Sequence, residues 1–380
     1  MTGALVLAAA AACLPAPDGW PESFRPEACP QVYRIHGNAP SERALNIVVM
    51  PAGFTAEELP TFRCAARLMV DKLMTFAPFD RYACSINVYR IDLASPPMTV
   101  PAKCSGRDCE HAKVAWDGKA EECRQLESSP GCPERPLDAA PCLELDLDVD
   151  ACPLSAPVCR VIWPSGKGML RIWPVAACAP EANVVLVLVN SEEWAGGGIE
   201  DDHSRLVVTT MCGIDAAGTR SLLLAHELGH ALGLFDEYFD GSAFVDGGQE
   251  PSFHAGRNIV KAGPDGKVAT NPWAALCLNE QGGSEPCRVR CRQNDGCTPC
   301  EEAYGAAAGA PPLVGLFEGG FYAACGYYAA TTYCRMLNPN DTTYCPACNL
   351  YLTELFGGQD LRMQRCPEGQ TGPVPAGCAE

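Results

Sequence analysis

His226, Glu227 and His230 are the residues whose types and spacing point most directly to chemistry. On a helix, positions i and i+4 lie one above the other. Both imidazoles then face the same way, at a separation suited to two Zn–N bonds of ~2.0–2.1 Å. Glu227 sits about 100° round the helix from His226. It is displaced from the ligand face, yet a water on the metal is within its reach. Such a set performs metal-assisted hydrolysis, with Glu227 as the general base. One zinc ion is the cofactor it calls for, and two histidines leave room for a third protein ligand.

Asp236 is the candidate for that ligand. On a continuous helix it would lie about 15 Å up the axis from His226 and out of reach. Gly233 resolves this, because a residue without Cβ can take positive φ, end the helix and fold the chain back. Glu237, the next residue, is the rival third ligand. The spacing His226-x3-His230-x2-Gly233-x2-Asp236 follows the metzincin arrangement, with Asp in place of the usual third His. That arrangement also needs a methionine-containing turn under the metal, and Met336, in Cys334-Arg335-Met336, fits. Tyr238 and Tyr344 are candidates to steady the oxyanion, although packing is the favoured reading of each.

The elements around the motif suggest an α/β (α+β) chain. Leu45–Met50 reads as a buried strand. Thr55 and Glu58 match a capping box that opens a helix reaching about Leu73, with Pro60 tolerated only near its start. Ile86–Leu93 then completes a strand–helix–strand unit. Val184–Val189 is apolar and β-branched, Arg205–Thr210 is a further strand, and the metal-binding helix spans about Thr219–Leu232. Gly196–Gly198 is either a glycine turn or part of an edge strand that pairs with extended substrate.

These stretches resemble the bacterial IgA-peptidase family of zinc metallopeptidases. Asn46–Met50 with Gly53–Leu59 is similar to the family's opening strand and helix, and Ala77–Phe79 with Ile86–Tyr89 to its second strand entry. The helix ending in Asp236-Glu237-Tyr238 matches its hallmark. Gly315–Gly319, Cys334–Met336 and Tyr344–Cys348 resemble its C-terminal part. The resemblance implies a metzincin-like fold: a twisted mixed sheet, an active-site helix and a C-terminal subdomain with the Met-turn. It implies a secreted zinc endopeptidase acting on protein or peptide, without implying immunoglobulin as the substrate. The alternative is a catalytically silent binding or adhesion protein on the same fold, against which the intact Glu227 argues.

Composition narrows the setting. The 380 residues suggest two or three units at ~150 residues each. The pattern divides into a signal segment (1–16), an irregular lead-in (17–40) and a catalytic N-terminal subdomain (41–239) carrying a cysteine-rich insertion (100–180). A second cysteine-rich insertion (240–310), the C-terminal subdomain (311–360) and a loosely ordered tail (361–380) follow. Lys+Arg 28 against Asp+Glu 46 gives −18, which excludes nucleic acid as a partner because there is no basic surplus to displace counterions. The 24 cysteines favour disulfides in an oxidising compartment.

Ala4–Ala12 is a short apolar segment consistent with export, and no run is long enough to span a bilayer. Ala10-Ala11-Ala12-Cys13 resembles a lipoprotein box, which makes Cys13 a candidate lipid anchor at the bacterial cell surface. Three weaker patterns have bland readings. His203 beside Asp201 and Asp202 reads as a solvated turn. Cys297–Cys300 and Cys345–Cys348 read as disulfide cysteines before a zinc pair. The acidic alternation Glu144–Asp150 reads as a solvated strand face, since it lacks the calcium-loop Gly and Glu.

Overall fold

Apolar runs become central strands where both faces must be covered. The computed structural model describes residues 30, 32–94, 149–151, 162–164, 172–179, 182–190, 196–200, 205–211, 222–238, 257–277, 287–292, 302–304 and 314–367, less 264, 266, 288, 340 and 342. Two units are distinguished, Met1–Ala231 with Phe356–Glu380, and Leu232–Leu355. The signal segment, Cys13, His203, Cys297, Cys300 and the acidic run before Val149 lie outside the described residues.

In the first unit the strands are β1 (Val32–His36), β2 (Leu45–Ala52), β3 (Ile86–Ile91), β4 (Val149–Ala151), β5 (Ile162–Pro164), β6 (Val184–Val189), β7 (Gly196–Glu200) and β8 (Arg205–Thr210). Its helices are α1 (Leu59–Leu73), the short α2 (Phe79–Tyr82) and α3 (Leu222–Ala231). Six strands form a mixed sheet in the order β1-β3-β2-β6-β8-β7. The four central strands are parallel, and an antiparallel strand closes each edge. β4 and β5 pair with each other. Parallel neighbours need a crossover, and α1 supplies the one between β2 and β3. The Thr55 N–H donates to Glu58 Oε2 at 2.9 Å, the expected capping contact. Pro60 sits in the first turn of α1, where its missing N–H has no intrahelical partner to lose.

β2 and β6 are buried along their whole lengths, as strands covered on both faces must be. On one face Ile47, Val184, Leu186 and Val207 meet Val70 and Leu73 of α1 and Leu224 and Leu228 of α3. On the other, Val48, Met50, Val185, Val187 and Val208 pack with Ile172, Trp173, Val175 and Ala176, from a segment helical at 172–176. α3 is therefore anchored to the sheet by its leucines, which leaves the face carrying His226 and His230 directed elsewhere.

The tail departs from expectation. Residues 358–367 are not loose: Cys84–Cys366 is a disulfide, the Cys366 N–H donates to the Arg81 carbonyl at 2.8 Å, and Leu361 is buried. A polar, Gly-flanked sequence hid a covalent staple whose partner is 282 residues away.

The second unit contains β9 (Ile259–Lys261), β10 (Val289–Arg292), β11 (Glu302–Tyr304), β12 (Leu316–Gly320), β13 (Ala323–Ala329) and α4 (Pro346–Gly357), whose last two residues count with the first unit. Its sheet runs β11-β10-β12-β13-β9. Buried Trp273 donates from Nε1 to the Gly315 carbonyl at 2.8 Å, and Cys277–Cys287 is a disulfide. No helix among the described residues is long and apolar enough to cross a membrane.

Just past β3, Asp92 receives Arg90 Nε at 2.7 Å and Arg63 Nε, from α1, at 2.8 Å. Arg90 and Asp92 are each 2% exposed. Removing one member of such a pair leaves a buried charge unmatched. Asp92→Ala is expected to destabilise the first unit by ~3–5 kcal/mol in urea unfolding. A change of about 1 kcal/mol or less would show that the pair contributes no more than an exposed one.

Candidate metal centre

The i, i+4 spacing on α3 brings two imidazole nitrogens together. His226 Nε2 and His230 Nε2 lie 3.2 Å apart, with the rings at 87° and their centroids 4.8 Å apart. Two Zn–N bonds of ~2.0–2.1 Å at a tetrahedral angle put the nitrogens about 3.3 Å apart. The donor pair therefore already has the spacing of two ligands on one ion. A Glu227 carboxylate oxygen lies within 4.8 Å of both ligand nitrogens. His226 and Glu227 are buried at 4% and 6% exposure, while His230 is half-buried.

β7 sets this face of the helix. A Cβ at Gly198 would fall 2.0 Å from the Glu227 carbonyl oxygen and 2.9 Å from His230 Cβ. One at Gly196 would fall 2.7 Å from Glu227 Oε1. The triple glycine is thus an edge strand, antiparallel to β8 with Gly197 opposite Val208, and not a turn. Its lack of side chains lets the strand lie directly on the Glu227–His230 face of α3.

Gly233 takes φ +96°, as a helix stop of this kind requires. In the second unit the chain after it forms no regular element and is held by backbone hydrogen bonds. The Phe321 N–H donates to the Asp236 carbonyl, the Glu237 N–H to the Met336 carbonyl, and the Tyr322 N–H to the Tyr238 carbonyl, at 2.9, 2.9 and 3.0 Å. Asp236 is 5% exposed, and its Oδ2 accepts a short hydrogen bond from the Tyr322 hydroxyl. Burial, then the neighbouring Asp236, pushes the Tyr322 phenol far above its ordinary range, so it stays a donor. Met336 is fully buried in a turn in which the Leu337 N–H donates to the Cys334 carbonyl at 2.9 Å.

Glu237 turns elsewhere. Its carboxylate accepts from Asn258 Nδ2 at 3.0 Å and faces the sulfurs of Cys345 and Cys348. Burial, then Cys345, raises its carboxyl well above the usual range. Of the two tyrosines proposed for the oxyanion, Tyr344 is buried with the Arg335 guanidinium 5.1 Å over its ring, and the Tyr238 hydroxyl donates to that of Tyr322 at 3.5 Å.

Tyr322 and Asn258 escape the sequence reading. Phe321 and Tyr322, at φ +52° and +63°, form the two-residue turn between β12 and β13. Such a turn normally takes Asn-Gly, so Phe-Tyr carries no turn signal; strained positions of this kind cluster at functional sites. Asn258 pairs with both the N–H and the carbonyl of Phe235, at 2.8 and 2.7 Å. Nothing in its local sequence marks it out.

Residues 171–275 match a family model described as IgA Peptidase M64. No curated protein matches the chain. The match, over the segment holding α3 and Asp236, supports the resemblance to the IgA-peptidase family of zinc metallopeptidases read from the sequence. The protein is a peptidase, and so a hydrolase.

The two outer glycines separate packing from chemistry. At Gly198 the obstacle is backbone, so Gly198→Ala is expected to destabilise by the ~1–3 kcal/mol typical of overpacking. At Gly196 the obstacle is the Glu227 side chain, with Cγ at 2.8 Å as well as Oε1. A side chain can shift where backbone cannot, so Gly196→Ala should destabilise less than Gly198→Ala in urea unfolding while peptide cleavage falls. Equal unfolding midpoints for the two variants would refute this account.

Proposed function

We propose that the protein is an exported zinc endopeptidase of metzincin-like design, with His226, His230 and Asp236 as metal ligands, Glu227 as the general base and Met336 in the Met-turn. The observation that carries this reading is the 3.2 Å approach of the two imidazole nitrogens beside the Glu227 carboxylate. Export rests on the apolar segment before Cys13 and on the many cysteines.

When bound, zinc supplies Lewis-acid polarisation of the scissile carbonyl and acidifies a water molecule. Glu227 takes a proton from the attacking water and delivers it to the departing amine. Packing against β7 fixes the Glu227 backbone, so the carboxylate swings little between these two tasks. Tyr322 holds the Asp236 carboxylate by Oδ2, the role that outer hydrogen-bond partners play for metal-binding carboxylates. β7 ends the sheet, and its outer edge offers backbone donors and acceptors to an extended peptide. With glycine at three successive positions it presents little side-chain selectivity of its own.

A diverse peptide pool tests the proposal. Cleavage is expected to stop with a chelator and return with zinc. Glu227→Ala is expected to keep the bound zinc yet lower kcat by ~10²–10⁴, the range for loss of a general acid–base group. Chelator-insensitive cleavage, or none by the zinc-loaded parent, would overturn the assignment.

A further inference from the structure

Three cysteines that the sequence pattern assigns to disulfides are thiols. Cys334, Cys345 and Cys348 are free and fully buried. Cys345 immediately precedes α4 and Cys348 lies in its first turn, while Cys334 leads into the turn of Met336. Their sulfurs and a Glu237 carboxylate oxygen all lie within 4.8 Å of one another. Cys334 Sγ and Cys348 Sγ are 3.5 Å apart, and Glu237 Oε1 is 3.1 Å from Cys348 Sγ and 3.6 Å from Cys345 Sγ. Sulfur and oxygen ligands of one tetrahedral zinc, with Zn–S ~2.3 Å and Zn–O ~2.0–2.2 Å, stand about 3.5–3.8 Å apart.

Two further observations point to a cation. Glu237 is 2% exposed, and its Oε2 meets no hydrogen-bond donor. No Lys, Arg or His pairs with it among the described residues, and a carboxylate buried without a cation is costly. The sulfurs, in turn, accept backbone N–H groups: Cys345 N–H donates to Cys334 Sγ at 3.1 Å and Cys348 N–H to Cys345 Sγ at 3.5 Å. One disulfide among three cysteines would leave the third sulfur facing Glu237 and the buried carboxylate still without a counter-charge.

We infer that Cys334, Cys345, Cys348 and Glu237 form a closed, structural binding site for a second divalent metal ion, zinc being the ion such a thiolate-rich tetrahedral set selects. Three thiolates and a carboxylate around Zn²⁺ carry the same net charge, −2, as a four-cysteine zinc site. The ion would tie three pieces of the second unit together: the segment at Asp236–Tyr238, the turn of Met336 and the start of α4. Glu237 adjoins Asp236, so the ion would fix the backbone that presents the proposed third ligand of the first centre.

The test uses the full-length chain with His226→Ala and His230→Ala together, which removes the histidine pair. That protein is expected to retain one zinc per chain, with sulfur neighbours at ~2.3 Å in X-ray absorption. Loaded with Co²⁺ instead, it should show a thiolate-to-metal charge-transfer band. Cys348→Ser should lose that ion. If Cys348→Ser fails to fold, the near-isosteric Glu237→Gln should still weaken zinc retention by at least the ~10–100-fold seen when outer partners of ligands are removed. A double-histidine variant without zinc, zinc with nitrogen and oxygen neighbours only, or a disulfide among the three cysteines would overturn the inference. The parent protein separates the two proposals. Two ions support both, and a single sulfur-ligated ion retains this site while removing the catalytic one.

Discussion

A Cβ built at Gly198 would stand 2.0 Å from the carbonyl oxygen of Glu227, so the Glu227–His230 face of α3 and the edge strand β7 are in contact only because the strand lacks side chains there. The contact does two things. It seats the helix on the strand at the Glu227 carbonyl, and it lays the Glu227 side chain against Gly196. It also puts the edge strand of the described sheet beside Glu227 and His230. The leucines of α3 complete the arrangement by fastening the opposite side of the helix to the sheet.

Adjacent acidic residues, Asp236 and Glu237, have diverged completely. Each carboxylate meets a different environment. Asp236 receives the hydroxyl of Tyr322; Glu237 lies among sulfurs and the amide of Asn258. A strained aromatic turn is needed on one side and a cysteine cluster on the other.

Much of the first unit was legible because its signals are local. β2, β6 and β8 follow apolar runs, the capping box opens a 3-10 turn at Ala56–Glu58 that leads into α1, α1 ends at Leu73 as its pattern implies, and Gly233 takes the positive φ that its position requires. What was hidden depends on long-range pairing. Tyr322 reaches Asp236 across 86 residues, and Cys366 finds Cys84 across 282. A cysteine count cannot distinguish bridging sulfurs from those gathered round a carboxylate. Glycine in a run is ambiguous in the same way: Gly196–Gly198 acquires meaning only when α3 lies against it.

The Cys84–Cys366 bond has a consequence for the chain as a whole. Both cysteines belong to the unit that contains the beginning and the end of the polypeptide, and residues 232–355 form the other unit between them. A nick anywhere in that stretch, whether from a foreign protease or from the enzyme's own activity, would yield two fragments still joined covalently. They would part only under reduction and would migrate as an intact chain without it.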